Sequence, residues 1–427
     1  MIRRIQALRY RCLRYVDLDL DRFHVLIGPN ASGKSTLFDA VAFLGDLVRD
    51  GLESAIESRT RNLQDMVWNR PESGPSFELA VEFDIPERLQ ERLPEDGGYR
   101  RFRYEIAVGE AGGDVRLEAE RGLLTPGAGP ESPPSRQRSL FPDPLAAPET
   151  LLEGGGRPGR RTVLSKSATG SASFNLETAP RPGKGWVTSI ALGHQRSALA
   201  NLPESPDTFP VATLVKRSLG ESIKPLFLES KRMREASPPS RRGNGFAPDG
   251  SSLPWTVNRL REERPDRYGD WMDHVRTALP DLKEVGVEVR DDDRHSYLKL
   301  KYDTGLEAPS WMVSDGTLRL LAMTLLAYLP ESGNIYLLEE PENGVHPLSL
   351  DAIHDSLSSV YGAQVLAATH SPDFLNRSNP EQVLCLAKNA AGATDVVRGT
   401  DHPYFLLDCG SRGRRALEIL FSSGLAG

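Results

Sequence analysis

Residues 23–36 read FHVLIGPNASGKST. Phe23–Ile27 is a compact apolar run that stops at a glycine, the pattern of a strand buried on both faces of a parallel sheet. Gly28-Pro29-Asn30-Ala31-Ser32-Gly33-Lys34-Ser35 fits the spacing GxxxxGK[ST]. Its glycines let backbone N–H groups turn inward around phosphate oxygens. The helix that follows adds positive potential at its N-terminus. In such a loop Lys34 reaches the β- and γ-phosphates and the Ser35 hydroxyl serves Mg²⁺. A helix is expected over Ser35–Leu47, with Leu37, Val41, Leu44 and Val48 on one side. The plain alternative is a glycine-rich βα turn without a ligand.

Three further stretches bear on the same chemistry. Ile335–Leu338 is an apolar strand that ends in Glu339 and Glu340. On a strand neighbouring the loop's strand, Glu339 would reach the Mg²⁺ shell. Glu340 would then stand where it can take a proton from the attacking water. Two solvated acids are the alternative. Ser314-Asp315-Gly316 precedes a helix expected over Thr317–Tyr328. Ser314 is either an ordinary N-cap or, with Gly316 and the helix start, part of a second phosphate-binding corner. His370 lies just beyond the strand Gln364–Ala368. A histidine there is commonly a satisfied polar residue; near a γ-phosphate it could donate to that phosphate or to the attacking water.

The rest of the chain sorts around these motifs. Ile2–Leu8 and Val16–Leu20 alternate as strands do. Phe77–Ile85, Tyr99–Val108 and Val115–Leu124 are β-rich runs separated by Gly and Pro, an antiparallel meander after the first helix. Residues 125–160 hold 8 Pro and 6 Gly in 36 positions, against 70 in 427 overall, so no secondary structure is assigned to them. Residues 188–280 read as mainly helical with a polar break at Ser237–Ser252, and Val285–Val289 with Tyr297–Tyr302 reads as a hairpin. From residue 313 helices (Thr317–Tyr328, Pro347–Val360) alternate with strands (Asn334–Leu338, Ala363–Ala368), which implies a parallel sheet. The simplest organisation is one nucleotide-binding sheet assembled from both ends of the chain. Residues 1–50 and 280–427 form that core, 51–187 an inserted β lobe and 188–279 a helical lobe.

Composition narrows the function class. The 427 residues carry a net charge of −7, which disfavours a generally basic nucleic-acid coat protein. Cys12, Cys385 and Cys409 lie far apart with no CxxC, so a disulfide scaffold or Cys-rich zinc module is not expected and a reducing cytoplasm fits. No apolar run reaches the ~18 residues of a membrane span. The start, MIRRIQALRYR, has no signal-peptide h-region. A cytoplasmic protein without a membrane partner is expected.

Taken in order, the phosphate loop, VSDGTLRLLA (313–322), IYLLEEPENGVHP (335–347) and ATHSPDFL (368–375) resemble the ABC-type ATPase heads of the RecF, SMC and OLD kind. More closely, they resemble the stand-alone bacterial AAA-family ATP-binding proteins related to OLD that lack a TOPRIM domain. Leu8-Arg9-Tyr10-Arg11-Cys12-Leu13 is similar to the family's aromatic–Arg segment. The resemblance implies an α/β P-loop NTPase of ABC-ATPase head type, with an antiparallel β lobe and a helical lobe inserted between Walker A loop and signature motif. It implies ATP and Mg²⁺ as cofactors. Asn30, Ala31, Ser32, Gly33, Lys34, Ser35 and Thr36 match the Walker A loop. Ser314, Asp315 and Gly316 match the signature, whose serine and glycine contact the γ-phosphate of the other subunit. Glu339 matches the Walker B metal acid, Glu340 the catalytic glutamate and His370 the switch histidine. Glu342-Asn343-Gly344 matches the segment that crosses the dimer interface, and Arg11 an arginine near the phosphates.

Departures from the pattern also count. The signature reads Ser-Asp-Gly-Thr rather than Ser-Gly-Gly-Gln, which points away from transporters. Gln195 and Gln64 both qualify as the lid-loop glutamine. A sustained heptad arm is missing. The 57 residues after His370 leave little room for a C-terminal TOPRIM nuclease.

A signature that serves a partner's nucleotide leaves a monomer incomplete, so a head-to-tail homodimer of C2 symmetry with two ATP molecules is implied. ATP would close it and hydrolysis open it. The expected function is an ATPase that drives or gates an effector encoded nearby, such as a nuclease, in anti-phage defence or DNA repair. The alternative is a module that closes on ATP to bind DNA or a partner protein with negligible hydrolysis; the paired acids favour the first. Arg3, Arg4, Arg9, Arg11 and Arg14, and separately Lys231, Arg232, Arg234, Arg241 and Arg242, are candidate DNA-phosphate contacts or solvated surface. The apolar stretch Leu417–Phe421 could pack on the core or dock a partner.

Overall fold

The computed structural model describes residues 1–71, 74–94, 98–126, 146–153, 159–179, 187–243, 245–330 and 333–402. Cys409 and the stretch Leu417–Phe421 lie outside the described residues. Strands β1 (Ile2–Tyr10), β2 (Leu13–Asp19) and β3 (Phe23–Ile27) lead into helices α1 (Lys34–Asp50) and α2 (Leu52–Glu57). Next come β4 (Ser76–Asp84), the short α3 (Glu87–Gln90), β5 (Arg101–Ala111), β6 (Asp114–Thr125), β7 (Arg161–Lys166), β8 (Ser171–Asn175) and β9 (Val187–Ala191). Then follow α4 (Pro210–Ser222), β10 (Ile223–Leu226), α5 (Ser230–Arg234), α6 (Leu253–Glu263) and α7 (Pro265–Ala278). A small sheet of β11 (Leu282–Val289), β12 (Ser296–Tyr302) and β13 (Glu307–Pro309) precedes α8 (Asp315–Leu325). The last elements are β14 (Ile335–Glu339), α9 (Leu350–Ser358), β15 (Gln364–Thr369), α10 (Pro372–Leu375), β16 (Val383–Lys388) and β17 (Thr394–Arg398).

The nucleotide-type sheet runs β10-β14-β15-β3-β16-β17, parallel throughout except at β17. Its strands are apolar on both faces because each face meets a different core. Leu26, Ile335, Leu337, Leu366, Ala368, Leu384 and Leu386 point to the side of α1. Phe23, Val25, Ile27, Tyr336, Leu338, Val365, Ala367, Val383 and Cys385 point to α6, α7, α8 and α9. This is the period of two that a pleated strand dictates.

Helix α1 is buried on nearly every side, with Leu37, Phe38, Ala40, Val41, Phe43, Leu44, Leu47 and Val48 all covered. Its burial is wider than the single stripe expected, because a second sheet presses on its other flank. That sheet is antiparallel, in the order β2-β1-β4-β5-β6-β7-β8-β9. Tyr10, Phe43 and Phe77 join it to α1 through ring contacts at 5.0–6.1 Å. Gly45 lets α4 approach closely: a Cβ there would stand 2.9 Å from the Leu219 carbonyl oxygen.

Three pairings differ from the sequence reading. Strands β1 and β2, expected in the nucleotide sheet, belong to the antiparallel one, since β1 pairs with β4 in register Ile5↔Val81. Strand β10, only four residues and holding Pro225, joins the parallel sheet at its edge beside β14. A proline is tolerated there because an edge strand has N–H groups to spare. Strands β16 and β17 extend the sheet past β3 on the other side and had no counterpart in the sequence reading. Among the described residues no helix is long and apolar enough to cross a membrane.

Candidate functional site

The register of the parallel sheet brings the separate motifs to one edge. Glu339 pairs with Ala368, Thr369 with Ile27 and Cys385 with Ile27. The carboxyl ends of β14, β15, β3 and β16 therefore stand side by side, where open α/β sheets place ligands. A cleft of about 390 Å³ lies along them, lined by Cys12, residues 30–36, Glu339, Glu340, Ala368, His370 and Lys388.

The loop is shaped by its neighbours. A Cβ on Gly28 would stand 2.1 Å from the Leu386 carbonyl oxygen and 2.7 Å from Ser32 Oγ. Gly33, at φ 106°, faces Thr394, whose Oγ1 would be 2.4 Å from a Cβ. Thr394 also ties the loop down: its Oγ1 donates to the Ser32 carbonyl at 2.8 Å and its N–H to the Cys12 carbonyl at 3.0 Å. Lys34 Nζ donates to the carbonyls of Gly28 (2.8 Å) and Pro29 (3.0 Å). Burial lowers the Lys34 pKa, and Glu339 and Glu340 push it back up.

These residues fit a nucleotide with Mg²⁺. The start of α1 has no side-chain cap and no acid in its first turn, so its N–H groups remain available to a phosphate. Ser32 Oγ is buried without a hydrogen-bond partner. Ser35 and Glu339 meet on the cleft wall, and Mg²⁺ is commonly held by one or two protein ligands plus substrate phosphates.

Glu340 adopts φ 48°, in the left-handed region. For a non-glycine residue this costs roughly 1–3 kcal/mol, and such outliers gather at functional sites. It is held there by its N–H, which donates to the Ala368 carbonyl at 2.7 Å, and by Asn343 Nδ2, which donates to Glu340 Oε2 at 2.8 Å. His370, from the neighbouring strand's end, lines the same cleft. Burial and then Lys34 lower its pKa, against Glu340 and Glu342, which favours the neutral imidazole at pH 7.

The structure does not bring every sequence candidate into the cleft. Ser314 caps α8, its Oγ accepting from Thr317 N–H at 3.2 Å. Asp315 pairs with Arg234 at 2.5 Å. A Cβ on Gly316 would stand 2.6 Å from the Gly344 carbonyl oxygen. None of the three lines the cleft of its own chain. Arg11 is placed on the flank of α1, with Nε 3.2 Å from Asp39 Oδ2, and not on the cleft wall. Asp39 also receives Tyr10 Oη and Arg59 Nε, both at 2.6 Å. Gln64 and Gln195 are both outside the cleft lining.

The basic clusters are largely occupied within the chain. Arg3 pairs with Asp21 and Asp84, Arg4 with Asp17, Arg9 with Glu78 and Arg232 with Glu235. Arg242 stacks on Trp255. Paired cations release few counterions from nucleic acid, which weakens the DNA reading for these residues. Cys12, Lys388 and Thr394 were missed as site residues. The run Val383–Lys388 followed by Asn389-Ala390-Ala391-Gly392 carried a strand-and-turn signal that would have found the last two.

A family model described as "AAA domain, putative AbiEii toxin, Type IV TA system" matches residues 23–137 and 218–376. An OLD nuclease from Thermus scotoductus is 33% identical over 86 residues, which are 20% of this chain and 15% of that protein. The match thus spans about one seventh of the relative's length. Among solved structures, the crystal structure of an SmcHead bound to the C-winged helix domain of ScpA aligns with a TM-score of 0.50 at 14% identity, covering 93% of this chain and 97% of that one. At that identity the likeness is one of fold.

Proposed function

The chain belongs to this AAA domain family and has the ABC-type head fold of the RecF, SMC and OLD ATPases, and on that premise we propose that it binds ATP with Mg²⁺ and hydrolyses it between two copies arranged head to tail. The observation that carries this reading is the meeting of Lys34, Ser35, Glu339, Glu340 and His370 in one cleft. Lys34 and the α1 N–H groups neutralise the phosphates. Ser35 and Glu339 hold the metal, which when bound shields phosphate charge and fixes the phosphate geometry. Glu340 accepts a proton from water, and the neutral imidazole of His370 donates a hydrogen bond on the γ-phosphate side.

Ser314 and Gly316 serve the second copy in this reading. They sit at the start of α8, Ser314 exposed and Gly316 half-buried, and outside their own chain's cleft, which leaves the Ser314 side open to another molecule. The acids are open on that side as well. A concavity of about 650 Å³ shares Ser35, Glu339 and Glu340 with the cleft and adds Asn343, Arg319 and Phe227. Phe227 is 60% exposed on its rim. The output is a closing and opening motion that gates an effector, a nuclease or another protein encoded nearby, in defence or repair of DNA.

ATP turnover and particle mass, measured for wild type and Glu340→Gln, test this. Slow turnover in wild type, with none in Glu340→Gln and an ATP-held dimer in its place, is expected. A wild type that neither turns over ATP nor changes mass would leave a nucleotide-binding module only.

A further inference from the structure

Glu342 stands two residues past Glu340, in the segment matched to an interface crossing, yet its carboxylate turns into its own chain. Oε1 accepts from Thr369 Oγ1 at 2.6 Å and from the N–H groups of His370 and Ser371, both at 3.1 Å. The Ser371 N–H is also 2.9 Å from Thr369 Oγ1. A single oxygen therefore gathers the whole turn between β15 and α10. Oε2 is buried and has no hydrogen-bond partner. A half-buried carboxylate with one buried, unsatisfied oxygen is a costly way to brace a turn, and such groups call for an explanation beyond packing.

The rest of the segment is anchored too. Asn343 holds Glu340 at one end, and the Gly344 carbonyl lies against Gly316 at the other. The stretch from Glu340 to Gly344 is thus a short rigid link touching the proposed base, the His370 turn and the start of α8.

We propose that Glu342 is a positioning residue, whose carboxylate fixes the Thr369–Ser371 backbone and so holds the His370 imidazole on the cleft wall beside Glu340. It acts on its own chain's switch, and through His370 alone. This rests on the reading of the cleft as an ATPase site. A purely structural brace would lower stability and leave the chemistry of the folded protein alone.

Glu342→Ala and Glu342→Gln in the full chain separate these cases. Hydrogen exchange at the amides of His370 and Ser371 reads the clamp without any turnover. It should rise about tenfold or more in Glu342→Ala, with Val365–Ala367 still protected, and less in Glu342→Gln, whose amide oxygen can still accept. In turnover, Glu342→Ala should lower kcat about tenfold with KM for ATP changed less than about threefold, and Glu342→Gln should recover much of the loss. The double variant Glu342→Ala/His370→Ala should be no slower than His370→Ala. Unchanged exchange, or losses that multiply in the double variant, would overturn the proposal. Raised exchange in a protein whose wild type shows no turnover would support the clamp and sink the ATPase reading.

Discussion

The carbonyl oxygen of Leu386 on β16 stands 2.1 Å from where a Cβ on Gly28 would be. The phosphate loop is therefore shaped partly by a strand that follows it by more than 350 residues. Gly28→Ala must push the loop off β16 or displace β16 itself. Overpacking of this kind costs about 1–3 kcal/mol. ATP affinity is expected to fall more than about tenfold, because the loop N–H groups lose their inward aim. Nucleotide titration beside a denaturant melt checks both effects.

Lys388 lies on the β16 flank of the cleft, opposite the acids on β14. With the γ-phosphate beside the acids, as proposed, Lys388 would face the nucleoside end. Lys388→Ala should weaken ATP and ADP alike, by about two- to fivefold, the worth of one exposed charge contact. Its kcat should hold. A loss confined to ATP would place Lys388 on the γ-phosphate instead. Calorimetric titration with both nucleotides decides it.

Glu177 accepts from the N–H groups of Val211 and Ala212, each at 2.7 Å, at the start of α4. Burial nevertheless pushes its carboxyl from 4.5 up to about 7. The folded state then holds this proton more tightly than the unfolded chain does. Stability is highest below about pH 4.5 on this group's account and falls as pH rises through about 7, by at most roughly 3 kcal/mol. Glu105, also pushed to about 7, adds a slope of the same sign. Melting at pH 5.5 and pH 8 should show a smaller difference in Glu177→Gln than in wild type.

Ser314 is an N-cap in the isolated chain. As a cap alone, Ser314→Ala costs about 1 kcal/mol of stability and leaves turnover per folded molecule unchanged. As a contact to the partner's nucleotide, it lowers kcat at saturating ATP while the ATP affinity of the monomer stays the same. Turnover measured over a range of protein concentration tells the two apart.

The nucleotide edge was legible because its chemistry is local. Lys34 and Ser35 follow a glycine loop, and Glu339 and Glu340 end an apolar strand, so each could be read within a dozen residues. What joined them, the register Glu339↔Ala368 and Thr369↔Ile27, is long-range and was inferred only from motif order. Strand β10 was hidden by brevity and by Pro225 next to a helix. Strands β1 and β2 alternate equally well for either sheet, and only pairing with β4 decides between them. Arg11 was carried over by resemblance. No spacing rule could show that Asp39, one helical turn past Ser35, captures it.

In the proposed dimer each working cleft is built from two copies of the chain. Mixing Lys34→Ala with Ser314→Ala, each first shown to fold as wild type and to have lost turnover alone, is the measurement to make. In a mixed pair one cleft carries both defects and the other neither. With random pairing, half of the dimers are mixed and one cleft in each is intact, so about a quarter of wild-type turnover should return. No recovery on mixing, from singles that still pair, would contradict a cleft shared between subunits.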